Sequence, residues 1–375
     1  YLISKRKKSQ TILITQLLPS ENRVGKRGVY FAIAAANMIG IIWGNPINRI
    51  KAAFFPEIPV VLPTVSKSSL PTVDLSVEEE QLWRHIEAVS VPRFSNTEKE
   101  AIRRYISEQL ISYGLAPVEQ RYRHLETGAI DTGGVNVVVD LPGSDPSAGT
   151  YLLGAHYDTF AESPGADDNG SAIAALLETA RLFSAARATQ AFPGSLKIVF
   201  FDQEEQQPDG SGLVGSLAFT QNSNNLIGLQ GAVILDMIGH TCTLPGCQTY
   251  PTGLPVQDLP DTGEFLAVLG LADNTELLGA FMGSARTTRP TVFTLPIPKA
   301  TVPLFPDVAR SDHAPFWEQN IPAVFVTDTA NFRNPNYHTE QDTPETLDRT
   351  FLTGNAQHVV NVMATLITRP NAEKS

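Results

Sequence analysis

Imidazole and carboxylate side chains follow three apolar runs of this sequence, at the positions where the runs end. His156 and Asp158 follow the first run, Glu204 and Glu205 follow the second, and Asp236 follows the third. These nitrogen and oxygen donors, with no cysteine among them, are typical ligands of zinc, for which manganese or cobalt can substitute. The residue types therefore predict a metal site assembled from distant parts of the chain.

Two more segments supply the same donor types. Asp167 and Asp168 follow His156 and open a predicted helix, and His338 lies in a polar segment near the C-terminus. Three carboxylates at close range would repel one another and be forced toward protonation. Two divalent ions and a bridging hydroxide would balance their charge, as in two-metal hydrolases, where the water between the ions becomes the nucleophile.

The apolar runs predict strands, and helical patterns lie between several of them. The predicted strands are 135–141, 151–155, 196–201, 231–235 and 323–326. The predicted helices are 78–90, 96–113, 171–186, 212–221, 263–282 and 347–368. Nearly continuous apolar strands that alternate with helices indicate an α/β fold with a mixed, mostly parallel central sheet and helices on both faces. The carboxyl ends of such strands gather at one edge of the sheet, where ligands bind.

These motifs, in this order, resemble those of the M28 family of co-catalytic zinc peptidases. The matching strings are Gly-Ala-His-Tyr-Asp at 154–158, Ala-Asp-Asp-Asn-Gly-Ser at 166–171, Glu-Glu at 204–205, Asp-Met-Ile-Gly at 236–239, Ser-Asp-His at 311–313 and Tyr-His at 337–338. The resemblance extends over about 73–370 and implies a zinc-exopeptidase-like fold that holds two zinc ions. The metal ligands that it implies are His156, Asp168, Glu205, Asp236 and His338.

The resemblance also implies roles for single residues. Asp168 bridges both ions, because the bridging carboxylate of the family directly precedes Asn-Gly. Glu204 is the general base, which takes a proton from the metal-bridging water and passes it to the leaving amine. Asp158 accepts a hydrogen bond from the second ring nitrogen of His156, and Tyr337 donates one to the oxyanion.

The favoured function is a zinc-dependent exopeptidase, an aminopeptidase that hydrolyses the N-terminal bond of peptide substrates. An apolar pocket beside the metals would hold the first side chain. Candidate residues for its wall are Phe281, Met282, Phe305, Phe316 and Phe332. The other histidines of the motif segments, His240 and His313, are predicted to be structural or to line the substrate site.

Three alternatives keep the same fold. A carboxypeptidase would need cations for the substrate carboxylate, and Arg286, Arg289 and Arg310 are candidates. A glutaminyl cyclase would use one zinc ion, but that branch generally lacks the histidine that this chain has at 156. A non-catalytic binding ectodomain would usually have lost ligands, and none is missing here.

The charge of the chain is unevenly distributed. Residues 1–51 contain nine basic side chains and one acidic side chain, whereas the remainder contains 19 basic and 38 acidic ones. An acidic body repels phosphate backbones, so nucleic-acid binding is not expected. The sequence does not indicate an oligomeric state.

The N-terminal part predicts targeting rather than fold. Basic residues precede an apolar run at 29–43, which favours a cleaved secretory signal or a single N-terminal membrane anchor, with a buried amphipathic helix as the alternative. We therefore divide the chain into this segment (1–54), a proline-rich linker (55–72) and a peptidase domain (73–375). The domain is expected to be periplasmic or extracellular, or held outside by the anchor. In that setting Cys242 and Cys247 would form a disulfide at the rim of the active site, with two free thiols as the alternative.

Overall fold

The computed structural model describes residues 74–123, 133–252 and 259–368. The strands of these residues form one eight-stranded sheet in the order β1-β2-β4-β3-β5-β8-β6-β7. They are β1 Val118–Arg121, β2 Val135–Leu141, β3 Thr150–His156, β4 Ser195–Phe201, β5 Leu229–Leu235, β6 Phe265–Leu271, β7 Thr291–Ile297 and β8 Ala323–Thr327. The pairs β4–β3, β3–β5, β5–β8 and β6–β7 are parallel, whereas the pairs β1–β2, β2–β4 and β8–β6 are antiparallel. The predicted mixed sheet with a mostly parallel centre is confirmed.

Helices cover both faces of this sheet. They are α1 Glu79–Val89, α2 Asn96–Ser112, α3 Ala172–Ala186, α4 Val214–Gln221, α5 Ser223–Leu226, α6 Thr275–Ser284, α7 Ala314–Glu318 and α8 Arg349–Thr368. Because strand side chains alternate between faces, Leu153 packs in one apolar cluster with α3 and α8. Its neighbour Leu152 packs in a second cluster with Phe219 of α4 and Phe316 of α7.

One predicted helix is wrong over its first half. The segment 263–282 contains the strand β6 and then the helix α6. The apolar run at 265–272 is short enough to be compatible with either structure by periodicity alone. The tertiary context favours the strand, because Leu266 and Leu271 bury opposite faces of β6 in the two clusters. The edge strands β1 and β7 were not predicted from the sequence.

The central parallel strands bring polar residues to a common edge. His156 is the last residue of β3, while Asp202, Asp236 and Asp328 directly follow β4, β5 and β8. These strands are hydrogen-bonded neighbours in the order β4-β3-β5-β8. Positions far apart in the sequence are therefore adjacent at the carboxyl edge of the sheet.

The predicted N-terminal segment 1–54, its apolar run at 29–43 and the linker 55–72 lie outside the described residues. Among the helices of the described ranges, none combines the length and the apolar character needed to cross a bilayer.

Candidate metal centre

All five predicted ligands lie together at the carboxyl edge of the sheet, in two groups. One group consists of His156, Asp168 and Asp236, and the other of Asp168, Glu205 and His338; within each, the donor atoms lie within 4.8 Å of one another. His156 Nε2 is 3.3 Å from Asp168 Oδ1 and 3.7 Å from Asp236 Oδ1. His338 Nε2 is 3.3 Å from Asp168 Oδ2 and 3.0 Å from Glu205 Oε2. Asp168 thus directs one oxygen to each group.

The donor atoms of His156 and Asp168 fit a pair of divalent cations. His156 Nε2 and Asp168 Oδ2 are buried and have no hydrogen-bond partner among the described residues. A buried polar atom without a partner costs about 1–3 kcal/mol, and a cation would satisfy both atoms. Imidazole nitrogen and carboxylate oxygen are donors that zinc accepts. The sharing of Asp168 gives the two groups the connectivity of a two-metal site.

A tight turn of the main chain positions Asp168. The π-helical turn Ala166–Ser171 directly precedes α3. The backbone N–H groups of Asp167 and Asp168 donate to the two carboxylate oxygens of Asp342, at 2.9 and 3.0 Å. Asp342 was not among the residues predicted from the sequence, where its only signal is its place in the polar segment after His338. Asp342 fixes the turn and so fixes the shared ligand.

A side-chain amide joins this turn to the end of β5. Asn169 Nδ2 donates to the carbonyl of Leu235 at 3.0 Å, and Asn169 Oδ1 accepts from the backbone N–H of Met237 at 3.1 Å. These two residues flank Asp236 in the sequence. The amide therefore holds Asp168 and Asp236, which belong to the same donor group, at a set separation.

Asp158 contacts the site differently from the expectation. His156 Nδ1 lies 3.2 Å from the main-chain oxygen of Asp158 and 3.6 Å from its carboxylate. The carboxylate accepts the backbone N–H groups of Glu204 and Glu205, at 3.1 and 3.2 Å. Asp158 thus orients the imidazole mainly through its main chain and holds the Glu204-Glu205 pair through its side chain.

The two acidic residues at the centre of the site differ in proton affinity. Burial raises the pKa of Glu204 well above its usual value, and the nearby charges of Asp236 and Glu205 add to the effect while His156 opposes it. Burial also disfavours the ionised form of Asp168, but the adjacent imidazoles of His156 and His338 outweigh it and lower its pKa. Asp168 therefore stays an anionic donor, whereas Glu204 can carry a proton.

The donor groups open into a cleft with a volume of about 280 Å³. Glu204, Arg310 and Tyr337 line it together with four of the metal-group residues. The Tyr337 ring stacks on the His338 ring, with centroids 3.7 Å apart. The guanidinium of Arg310 lies 5.6 Å from the Tyr337 ring centroid. Of the three arginines considered for a substrate carboxylate, Arg310 is the one in this lining.

A smaller apolar cavity of about 70 Å³ adjoins the cleft, and Arg310 lines both. Its apolar wall is formed by residues of β6, β7 and β8 and the loop after β8: Phe265, Leu269, Phe293, Leu295, Phe325 and Phe332. Five side chains were predicted to form this wall, and one of them, Phe332, lines the cavity. Phe281 and Phe316 are instead buried in the core, and Met282 and Phe305 lie outside the lining. The error follows from the wrong helix at 263–282, because β6 and β7 supply most of the wall.

The predicted disulfide between Cys242 and Cys247 is present. Cys242 exchanges two backbone hydrogen bonds with Gly263 just before β6, and Thr249 N–H donates to the carbonyl of Phe332 at 2.8 Å. The disulfide loop therefore packs at the rim of the apolar cavity, which Thr249 also lines.

The two other histidines of the motif segments are hydrogen-bonded elsewhere. His313 Nε2 lies 2.8 Å from the carbonyl of Val308, and its ring stacks on Phe325. His240 Nδ1 lies 2.9 Å from the carbonyl of Thr346. Neither histidine belongs to a donor group of the described residues.

Comparisons with solved structures agree with this fold. The chain superposes on BSAP, a zinc aminopeptidase from Bacillus subtilis, with a TM-score of 0.62 and 14% identity, covering 80% of this chain and 98% of the other. It superposes on a glutaminyl cyclase of Macrostomum lignano with a TM-score of 0.60 and 16% identity, covering 79% and 91%. At these identities the likeness concerns the fold alone.

Sequence comparisons identify the family. The family model for Peptidase family M28 matches residues 136–363. The chain is 28% identical over 299 residues to the uncharacterized protein YfbL of Escherichia coli (strain K12). This match covers 75% of this chain and 86% of that relative. It is 31% identical over 222 residues to a probable lipoprotein aminopeptidase, LpqL, of Mycobacterium tuberculosis. This match covers 55% of this chain and 40% of that relative. The chain belongs to the M28 peptidase family and is a peptide hydrolase.

The shared carboxylate predicts unequal effects of ligand substitutions on metal content. We expect Asp168→Ala to lose both ions, because it removes a donor from each group, whereas Asp236→Ala and His338→Ala each lose one. Elemental analysis of zinc-loaded, gel-filtered protein measures the ratio of metal to protein. Equal losses in all three variants would contradict the assignment of Asp168 to both groups.

Proposed function

We propose that this chain is a zinc-dependent aminopeptidase that hydrolyses the N-terminal bond of peptides. The observation that carries the proposal is the pair of donor groups that share Asp168, in a cleft beside an apolar cavity. The aminopeptidases among its relatives support the same reaction. The carboxylates that line the cleft suit a free, positively charged N-terminus, and the apolar cavity suits the side chain next to it.

The proposed ligands are His156, Asp168, Glu205, Asp236 and His338, and the proposed cofactor is two zinc ions. When bound, the ions would polarise the scissile carbonyl and lower the pKa of the attacking water. Glu204 would accept the proton of that water and deliver it to the leaving amine. Its burial, which raises its pKa, suits the second half of this task because the protonated form becomes accessible.

Tyr337 would stabilise the charge that develops on the substrate carbonyl oxygen. Burial raises the pKa of its hydroxyl well above the usual value, with the nearby carboxylate of Asp168 adding to the effect. The hydroxyl therefore stays protonated at neutral pH and can donate a hydrogen bond. A donor aimed at developing negative charge favours the transition state over the substrate.

A carboxypeptidase is the second candidate, and Arg310 favours it. The guanidinium lies in the cleft lining, where it could bind a terminal carboxylate. Its contacts weigh against this role, because it is placed over the rings of Phe332 and Tyr337 and lies 4.0 Å from the carboxylate of Asp307. The glutaminyl cyclase and the binding ectodomain have less support, because the donor set for two ions is complete.

We also propose that the peptidase domain is exported. The disulfide at the rim of the site supports this location, because disulfides persist in oxidising compartments. The basic and apolar residues of the N-terminal segment favour the same destination.

The direct test uses one peptide prepared with a free and with an acetylated N-terminus, with the products followed by mass. We expect stepwise loss of residues from the free N-terminus only, abolished by a chelator and restored by zinc. Loss of residues from the C-terminus of both peptides would establish the carboxypeptidase instead. Hydrolysis that persists without metal would refute the zinc mechanism.

The role of Glu204 has a separate prediction. We expect Glu204→Gln to keep its zinc and to lower kcat by about 10²-fold or more, the scale of a lost general base. The matched control is Glu100→Gln, an equivalent change at an exposed position of α2. Zinc content and steady-state kinetics are measured on the same preparations. An active Glu204→Gln enzyme with full zinc content would exclude Glu204 as the base.

The apolar cavity predicts a preference for peptides whose first side chain is large and apolar. Ala267 is buried on β6 and lines the cavity, so Ala267→Leu places three more carbon atoms in that space. We expect a lower kcat/KM for peptides that begin with leucine or phenylalanine and little change for those that begin with alanine. The alanine substrate serves as the internal control. An equal loss for all three substrates would show that the cavity does not select the first side chain.

A further inference from the structure

Arg93 is a buried cation outside the part of the chain that the family model matches. It lies between α1 and α2, whereas the matched region begins at residue 136. Its relative exposure is 0%. An arginine is almost never fully buried unless its charge and its donors are satisfied, so its contacts indicate what it does.

Within the described residues, the guanidinium of Arg93 donates only to main-chain carbonyls. Three of them belong to residues 157–165, which we call the ligand loop, because it connects His156 at the end of β3 to the turn that carries Asp168. The acceptors in the loop are the carbonyl oxygens of Tyr157 at 2.8 Å, Pro164 at 2.8 Å and Gly165 at 3.0 Å. The other acceptors are the carbonyl oxygens of Val89 and Val91 in the segment before Arg93.

The backbone of Arg93 also pairs with the middle of the loop. Its N–H donates to the hydroxyl of Thr159 at 2.9 Å, and its carbonyl accepts from Thr159 N–H at 3.4 Å. One residue therefore contacts the beginning, the middle and the end of the ligand loop.

The ligand loop reaches both donor groups. Its ends are continuous with His156 and with the turn of Asp168. In its middle, the N–H of Phe160 donates to Glu205 Oε1 at 3.1 Å, and the Phe160 ring stacks on the His338 ring with centroids 4.4 Å apart. A displacement of the loop would therefore move four of the five proposed ligands.

The approach of Arg93 to the loop requires a glycine at 165. Gly165 has a φ of +59°, in the left-handed region, and a Cβ placed there would lie 2.7 Å from Arg93 Nη2 and 2.3 Å from the carbonyl oxygen of Asp168. A side chain at this position would push the loop away from the guanidinium or shift Asp168.

The charge of Arg93 is balanced by the acids of the site. No carboxylate lies within ion-pair distance of it in the described ranges. The acids that act on its charge are Asp342, Asp168, Asp158 and Glu205. Burial lowers the pKa of Arg93 to about 10, so the side chain is still charged at neutral pH. The cation therefore offsets part of the mutual repulsion of these carboxylates.

We propose that Arg93 is a positioning residue that holds the ligand loop, and with it the donor atoms of both groups, in the geometry that binds the two ions. This inference rests on the proposed function only in taking the groups as metal ligands. A guanidinium is suited to the role because it presents five N–H donors in a rigid plane, whereas a lysine has three on a flexible stem. Groups that orient metal ligands typically change metal affinity 10- to 100-fold when they are replaced.

The test compares zinc affinities, measured by competition with a chromophoric chelator, in full-length wild type, Arg93→Met and Arg93→Lys. We expect affinity to fall about 10- to 100-fold in Arg93→Met and by less in Arg93→Lys, which keeps the charge but loses some of the hydrogen bonds. Arg104→Met, at an exposed position of α2, is the matched control and should bind zinc like wild type. Circular dichroism of the metal-free proteins checks that each variant is folded.

Arg93→Lys keeps the proposal testable if Arg93→Met does not fold, because it changes only the contacts of residue 93. Gly165→Ala disturbs the same contact from the loop side and also crowds the carbonyl oxygen of Asp168, so we expect it to weaken zinc binding more than Arg93→Lys does. Wild-type zinc affinity in both folded Arg93→Lys and folded Gly165→Ala would overturn the proposal. A variant of Arg93 that loses thermal stability but keeps its zinc affinity would overturn it as well. A wild-type protein that binds zinc but cleaves no peptide would contradict the aminopeptidase, while the affinity ratios would still decide the role of Arg93.

Discussion

The mutual repulsion of carboxylates buried at one edge of the sheet is the constraint on which the site depends. Asp158, Asp168, Glu205 and Asp342 are all buried or nearly so, within one small region. Buried charges are tolerated only when they are paired or hydrogen-bonded. Backbone N–H groups satisfy Asp158 and Asp342, and two imidazoles lie against Asp168. The remaining negative charge, with unpartnered donor atoms beside it, is what a pair of divalent ions would neutralise.

The sheet supplies the rigidity that this arrangement needs. Three parallel neighbours, β3, β4 and β5, end beside one another, and both faces of these strands are buried under helices. Side chains on such strands and on tightly bonded turns are held in place better than side chains on free loops. The long connections, including the ligand loop, are fixed instead by single buried side chains such as Arg93 and Asp342. Lys99 of α2, in a 2.8 Å buried ion pair with Asp202, anchors the end of β4 in the same way.

The sequence predicted the parts of the site that have a local pattern. Apolar strands followed within a few residues by His156, Glu205 or Asp236 identify the edge of the sheet, and the resemblance to the family motifs implies the five proposed ligands. Long-range contacts have no such pattern. Arg93 and Asp342 are single polar residues whose partners lie far along the chain, and the apolar wall depends on whether 263–282 forms a strand or a helix. That choice is made by pairing with β7 and β8, which a single sequence does not display.

The most direct test of a two-ion site that shares Asp168 is anomalous diffraction from crystals of the zinc-loaded protein, with data collected on both sides of the zinc absorption edge. A two-ion site predicts two anomalous peaks about 3.5–4 Å apart. One would lie among His156, Asp168 and Asp236, and the other among Asp168, Glu205 and His338. A single peak, or peaks that do not contact Asp168, would contradict it.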